Sequence, residues 1–424
     1  MTTELRTLSP VEWDGWYATL ERAFGGVAES DEERALWRDL AEFDRSLGVW
    51  DGEACVGTAG ACSFRMSVPG GALVPAAGVT MVSVAATHRR RGVLTRMMRR
   101  QLDDVRERGE ALAVLTASEP AIYGRFGYGV GAFETRAEID TARVRLAVPE
   151  GTDGVRLRYA PLADEAVRQT CEEIYARAVP GRPGMLARQP GWERVPVLDP
   201  EKDRGGASAL QCVLAEDADG TVLGFVRLRV QPQWGPAGAE GVVVLEDLEV
   251  ADPRAPRGSG ASMDPQAYAA LLRFLFGIDL TSTLRLRSRP VDDAWQHLVS
   301  DVRRCAPRQR DWLHVRLVDV GAALEARTYR TPVDVVFEVQ DAFCPWNEGR
   351  WRLTGDAKGA VCARSADPAD VALSVRELGA AYLGGVPLAS LAAAGRVREL
   401  REGALAEATV AFGSDVAPWL PHGF

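Results

Sequence analysis

Gly78-Val79-Thr80-Met81-Val82-Ser83-Val84-Ala85 runs through Ala86-Thr87-His88-Arg89-Arg90-Arg91-Gly92 into Val93-Leu94-Thr95. Val79–Ala85 is a continuous apolar run suited to a strand buried on both faces. From Val93 to Glu107, Leu94, Met97, Met98, Leu102 and Val105 recur at helical spacing between charged residues, and Gly109 ends that helix. Ala111–Thr116 is a second apolar strand, so strand, crossover helix and strand form one βαβ unit with parallel neighbours. The turn between them has the character of an anion site. A helix start leaves four amide hydrogens without partners, its dipole end is positive, and Gly92 lets a phosphate come close to the backbone. The neighbouring arginines add charge-assisted contacts. A basic loop that caps a helix with nothing bound has about equal standing on this spacing alone.

Outward from this unit the chain is mixed α/β. Pro10–Phe24 and Asp31–Arg45 are helical by spacing, and Leu47–Trp50 and Ala54–Gly60 flank an Asp51-Gly52 hairpin turn. Ala61–Val68 and Ala72–Val74 read as further strands across Pro69-Gly70-Gly71. After a linker at Ala147–Asp153 the order of elements repeats: a helix at Ala163–Ala178, a hairpin around Asp219-Gly220, a strand at Val242–Val250, a helix at Pro265–Phe276 and a strand at Thr283–Leu286. The second copy's loop, Ala251–Met263, carries no compact basic-glycine turn, which predicts a lost cofactor site. The last segment is α+β, with strands at Val333–Val339, Arg350–Thr354, Val361–Arg364, Pro368–Leu373 and Ala406–Ala411 and helices at Val375–Leu383 and Leu388–Ala394.

Composition narrows the function classes. With 424 residues, 46% hydrophobic and 26% charged, the chain has material for two to four folded domains. A net charge of -9 argues against nucleic-acid binding, which needs a basic face. The seven cysteines are scattered without a CxxC pair and the four histidines lack ligand spacing, so no metal and no disulfide framework is expected. Neither a signal peptide nor an 18-residue apolar stretch is visible, which predicts a cytoplasmic protein without a membrane partner.

Strand, Arg-x-x-Gly-x-x opening a helix, and a second parallel strand resemble the acetyl-CoA motif of GNAT N-acetyltransferases; Leu94 stands where that motif usually has Gly or Ala. The stretches 78–84, 87–92 and Leu115-Thr116-Ala117-Ser118-Glu119-Pro120-Ala121-Ile122-Tyr123-Gly124-Arg125-Phe126-Gly127-Tyr128-Gly129 are similar to the enhanced intracellular survival (Eis) family of actinobacterial acetyltransferases. The resemblance spans the chain. It implies a catalytic GNAT domain at 1–148, a degenerate GNAT-like domain at 149–300 and a sterol-carrier-like α+β domain at 301–424 whose C-terminus reaches the active site. It further implies acetyl-CoA as co-substrate, an amine acceptor and a homo-hexamer. Several relatives acetylate aminoglycosides at more than one amine; a polyamine or a protein lysine is an equal expectation here. The implied cofactor contacts are Val82, Ser83 and Val84 on a free strand edge, Arg90, Arg91, Gly92, Val93, Leu94 and Thr95 at the helix start, and Ser118 and Glu119.

Two residues carry the implied acid–base chemistry. Tyr123 lies in a short helix that Ser118 is expected to cap and Pro120 to open. The family's matching tyrosine protonates the departing thiolate; as plain residues, Tyr123, Phe126 and Tyr128 read by about two to one as core aromatics. The chain ends Pro418-Trp419-Leu420-Pro421-His422-Gly423-Phe424, too apolar for a frayed tail, and as plain residues it reads first as an ordinary packed terminus. In the family the terminal carboxylate, here that of Phe424, is the general base. His422 is the rival base. A lipid-binding protein and a non-catalytic acetyl-CoA sensor are the competing classes; the first requires an apolar tunnel within 301–424.

Overall fold

The computed structural model describes residues 3–236, 238–251 and 263–424. The chain divides into two compact units. The first comprises Met1–Ala132, Trp312–Asp415 and Gly423–Phe424; the second comprises Phe133–Asp311 and Val416–His422.

In the first unit, strands β1 (Glu4–Thr7), β2 (Leu47–Asp51), β3 (Ala54–Ser67), β4 (Leu73–Val84) and β5 (Leu112–Thr116) lie in sequence order. All neighbours are antiparallel except β4 and β5, which are parallel as the βαβ reading requires. The expected breaks at Gly60 and Val74 do not occur. β3 runs for 14 residues and β4 for 12, because the two pair across the Pro69–Gly71 turn from Ser67↔Leu73 to Gly57↔Val84. Helix α1 covers Trp13–Ala23 after a 3-10 turn, and α2 covers Asp31–Leu40, shorter than expected because Ala41 is already extended. Ser30 caps α2 by accepting from the Glu33 amide. Helix α3, Val93–Glu107, buries Val93, Met97, Met98, Leu102 and Val105 on β2–β5. Its one buried polar side chain, Gln101, donates to the Gly60 carbonyl at 2.9 Å.

The strand Arg308–Leu317 completes this sheet: Leu313–Leu317 pair antiparallel with β5. A five-stranded sheet follows, in the order 359–364, 349–356, 333–340, 371–374, 397–399. The strand expected at Ala406–Ala411 is instead part of a helix, Ala404–Phe412. The alternation of Ala406 and Ala408 with Glu407 and Thr409 imitates a strand over this short stretch, but Ala404, Ala408, Ala411 and Phe412 are buried at helical spacing and the alanines favour helix. Phe412 ends it with its carbonyl accepting from Arg327 at 2.9 Å and its ring against Tyr329 and Phe337.

The second unit repeats the plan. Its sheet runs from β6 (Gly129–Asp140, here from Phe133) through 281–289, 241–250, 222–231 and 211–216 to 156–159. Helices Glu165–Ala178 and Pro265–Phe276 are capped by Asp164 and Asp264. As with β4 and β5, 241–250 and 281–289 are the parallel pair. Of the loop Ala251–Met263, residues 252–262 lie outside the described residues, and so does the expectation attached to them.

Candidate active site

The site is made where β4 and β5 part. Their ladder covers Ala76↔Leu112, Ala77↔Ala113 and Gly78↔Val114 and then stops, while β4 continues to Val84 paired only with β3. Between Gly60↔Thr80 and Thr58↔Ser83 the register shifts, with two β4 residues facing one on β3. Met81 takes the strain at φ 52°. Thr58 holds the bulge by donating its hydroxyl proton to the Met81 carbonyl at 2.7 Å; with that proton used, the Ser83 hydroxyl is the donor in its 2.7 Å contact with Thr58. The bulge turns Thr80, Met81 and Val82 partly to solvent, so Val79–Ala85 is not buried on both faces as its apolar run predicts.

The turn after β4 puts Arg90 at φ 62° and Gly92 at φ 76°. The first intrahelical bond of α3 runs from the Arg96 amide to the Gly92 carbonyl at 3.0 Å. The amides of Val93, Leu94 and Thr95 therefore point out of the helix end, in a backbone concavity that suits an anion. Arg89, Arg90 and Arg91 are all exposed around it. A Cβ on Gly92 meets nothing within 4 Å, so Gly92→Ala costs only left-handed strain, about 1 kcal/mol. The expected result is a melting temperature lowered by a few degrees.

A cleft of about 1050 Å³ opens here. It is lined by Val82, Ser83, Val84, Arg90, Gly92, Val93, Leu94, Thr95, Ser118, Glu119, Tyr123 and Phe424, which the sequence singled out; Arg91 does not line it. Tyr123 stands on a 3-10 helix, Pro120–Phe126, that Pro120 does open. Its N-terminal boundary residue is Glu119 rather than Ser118, and no side chain caps it, because Ser118 faces the cleft instead. Close packing under this turn requires glycine: a Cβ on Gly127 would sit 2.8 Å from Nε of Arg316, itself locked to Asp341 at 2.7 Å. The Tyr123 ring meets Tyr128 edge-on at 5.9 Å. Burial, with a smaller contribution from the Glu119 charge, pushes its phenol up to about 12.

At the other side, the terminal main-chain oxygen of Phe424 accepts from the Thr80 hydroxyl at 2.9 Å. The Phe424 ring meets Phe64 at 5.2 Å, and both rings lie over Gly78, where a Cβ would come within 2.5 Å of Phe64 and 3.1 Å of Phe424. Gly78→Ala should therefore push both rings aside, and the expected result is a lowered midpoint of urea unfolding, by about 1 kcal/mol or more. His422 does not line the cleft; it belongs to the second unit, with Nε2 3.1 Å from the Tyr175 hydroxyl.

The sequence reading missed the opposite wall. Helices α1 and α2 and the segment between them bring Tyr17, Phe24, Val27, Glu29, Glu33 and Trp37 to the cleft. Tyr17 donates to the Glu29 carboxylate, and burial followed by that hydrogen bond raises the Tyr17 phenol. Nothing in the spacing of these residues marks them. Among the described residues no group of three or more His, Cys, Asp or Glu is placed to hold a metal ion, and no helix is long and apolar enough to cross a membrane.

A parallel strand pair that parts beside a helix N-terminus, in a chain whose second unit repeats the strand order, is the pattern of GNAT acetyltransferases. The acetyltransferase (GNAT) domain family matches residues 4–131, a second GNAT family matches 184–258 and 261–317, and the sterol carrier protein domain family matches 320–421. An uncharacterized N-acetyltransferase of Streptomyces avermitilis is 70% identical over the whole of both chains. The N-acetyltransferase Eis of Mycobacterium tuberculosis is 31% identical over 98% of each, and the crystal structure of Eis1 from Mycobacterium abscessus superposes with a TM-score of 0.82 at 33% identity over 100% of both. The chain belongs to the Eis family of N-acetyltransferases.

Proposed function

We propose that this enzyme acetylates a cationic amine at the expense of acetyl-CoA, with its domains divided at 148 and 300. The observation that carries this is the meeting of an outward-facing helix end, an open strand edge, Tyr123 and the chain terminus in one cleft. Coenzyme A fits these residues: its diphosphate suits the amides of Val93, Leu94 and Thr95 with Arg90 beside them, and its amide-bearing arm suits the unpaired edge of Val82–Val84. When bound, it supplies an acetyl group activated as a thioester.

The chain's own residues do the rest. Tyr123 keeps its proton at Oη and donates a hydrogen bond to the departing sulfur. Against a thiol near 8.5, a phenol near 12 gives up that proton only uphill, by roughly 5 kcal/mol, so hydrogen bonding rather than full transfer is its main service. The Phe424 carboxylate draws the acceptor's ammonium into place and takes its proton, directly or through water. At an ordinary value near 3.5 it is a weak base for an ammonium near 10, and orientation is the larger part of its role. Glu29 and Glu33 on the opposite wall favour cationic acceptors, of which polyamines, aminoglycosides and lysine side chains are the classes to survey. The homo-hexamer expected of the family is read by sedimentation.

Titration calorimetry with CoA tests the reading. Arg90→Glu should weaken binding about tenfold and Arg91→Glu less, since only Arg90 lines the cleft. Absence of heat at millimolar CoA overturns it; heat without turnover on any amine of the panel points to a sensor.

A further inference from the structure

The second unit contains the same parting of strands as the first. Its parallel ladder ends at Leu245↔Leu286, although the strands run on to Val250 and Arg289. In the first unit the corresponding gap opens to the cleft. Here it is crossed by Arg289, whose Nη1 donates to the Leu248 carbonyl at 2.9 Å and whose Nε meets Asp293 at 2.5 Å. Trp419 closes it, with its ring over the Arg289 guanidinium at 5.1 Å and its indole nitrogen donating to Ser288 Oγ at 3.2 Å. Trp419 is 3% exposed and Leu420 not at all.

The tail before Trp419 is held as firmly. The Ala417 amide donates to Asp292 at 2.8 Å, and Arg182 donates both to the Ala417 carbonyl at 2.6 Å and to Asp292 at 2.8 Å. The Trp419 amide donates to the Pro183 carbonyl at 2.9 Å. One backbone residue thus has both its polar groups taken by a fixed ion pair, and the next aromatic is sealed over the strand gap.

We propose that the strand gap of the second unit is the dock for the chain's own C-terminal segment, and that Arg182 and Asp292 are positioning residues for Phe424. The degenerate unit keeps the GNAT opening and fills it with Trp419, so that the two residues after His422 start from a fixed point. The effect of the dock on catalysis rests on the reading of Phe424 given above. Docking itself does not.

Two measurements separate these. Carboxypeptidase A releases a C-terminal phenylalanine only from a free tail. The wild type should resist it, while Arg182→Ala and Asp292→Ala release phenylalanine about tenfold faster or more with nearly unchanged melting temperature. Release at the wild-type rate in both variants, or a wild type as labile as its denatured form, overturns the dock. The second measurement is kcat on whichever amine of the panel turns over, in the full chain and in a form lacking Gly423 and Phe424. Each substitution should lower kcat about tenfold in the full chain, with little change in the KM for acetyl-CoA, and have no further effect in the shortened form. An equal loss in both backgrounds marks a merely structural role and overturns the positioning claim. If the shortened form keeps wild-type kcat, the role of Phe424 falls while protection from carboxypeptidase still tests the dock.

Discussion

Removal of Phe424 should lower kcat by about a hundredfold or more, within the range general acid–base groups contribute, while leaving CoA binding near its wild-type value. The geometry makes the two effects separable. Phe424 touches Thr80, Phe64 and the face of Gly78, whereas the outward amides of Val93 to Thr95 belong to α3. Adding one residue beyond Phe424 should be nearly as harmful, because it replaces the terminal carboxylate by a neutral amide at the Thr80 hydroxyl. Phe424→Leu keeps the carboxylate and loses only the edge contact with Phe64, so its loss should be a few-fold. Steady-state kinetics with thiol detection, paired with CoA calorimetry, reads all three. Full activity in the extended form removes the carboxylate from the mechanism.

Tyr123→Phe should also cost about a hundredfold in kcat with the KM for acetyl-CoA little changed, since only the hydroxyl is removed. The ring packing against Tyr128 remains, and the hydroxyl has no hydrogen-bond partner among the described residues, so the fold has nothing to lose. The pH dependence gives a second reading. Burial and the Glu119 charge both disfavour phenolate, which raises the value from 10 to about 12. An acid with a raised value stays protonated to higher pH. The wild-type profile should therefore rise as the amine deprotonates and show no fall from Tyr123 below about pH 11. A descending limb near pH 9 to 10 that vanishes in Tyr123→Phe contradicts the burial argument.

Much of the fold was legible because its signals are local. Period 3.6 in Val93–Glu107, the Asp51-Gly52 turn and the parallel βαβ order all depend on residues within a few positions of one another. Failures came where local signals are degenerate or where distant chain decides. Ala406–Ala411 alternates like a strand over only a few residues, and its alanines turned it helical. β3 and β4 run through the breaks assigned to them because they pair with each other from Ser67↔Leu73 to Gly57↔Val84. The strand Arg308–Leu317 pairs with β5, some two hundred residues earlier, and no spacing rule reaches that far.

What the sequence determined by itself is the turn before α3: a glycine among arginines ahead of an amphipathic helix, whose outward amides suit an anion, is a chemical statement made by contiguous residues. Tertiary structure alone decided the cleft. The bulge at Met81, the wall of Tyr17, Glu29 and Glu33, and the seat of Phe424 over Gly78 all join segments far apart in the chain. Such contacts arise from burial and pairing of whole surfaces rather than from local propensity. The same physics gives Trp419 its place over Arg289, which nothing in the last seven residues announces.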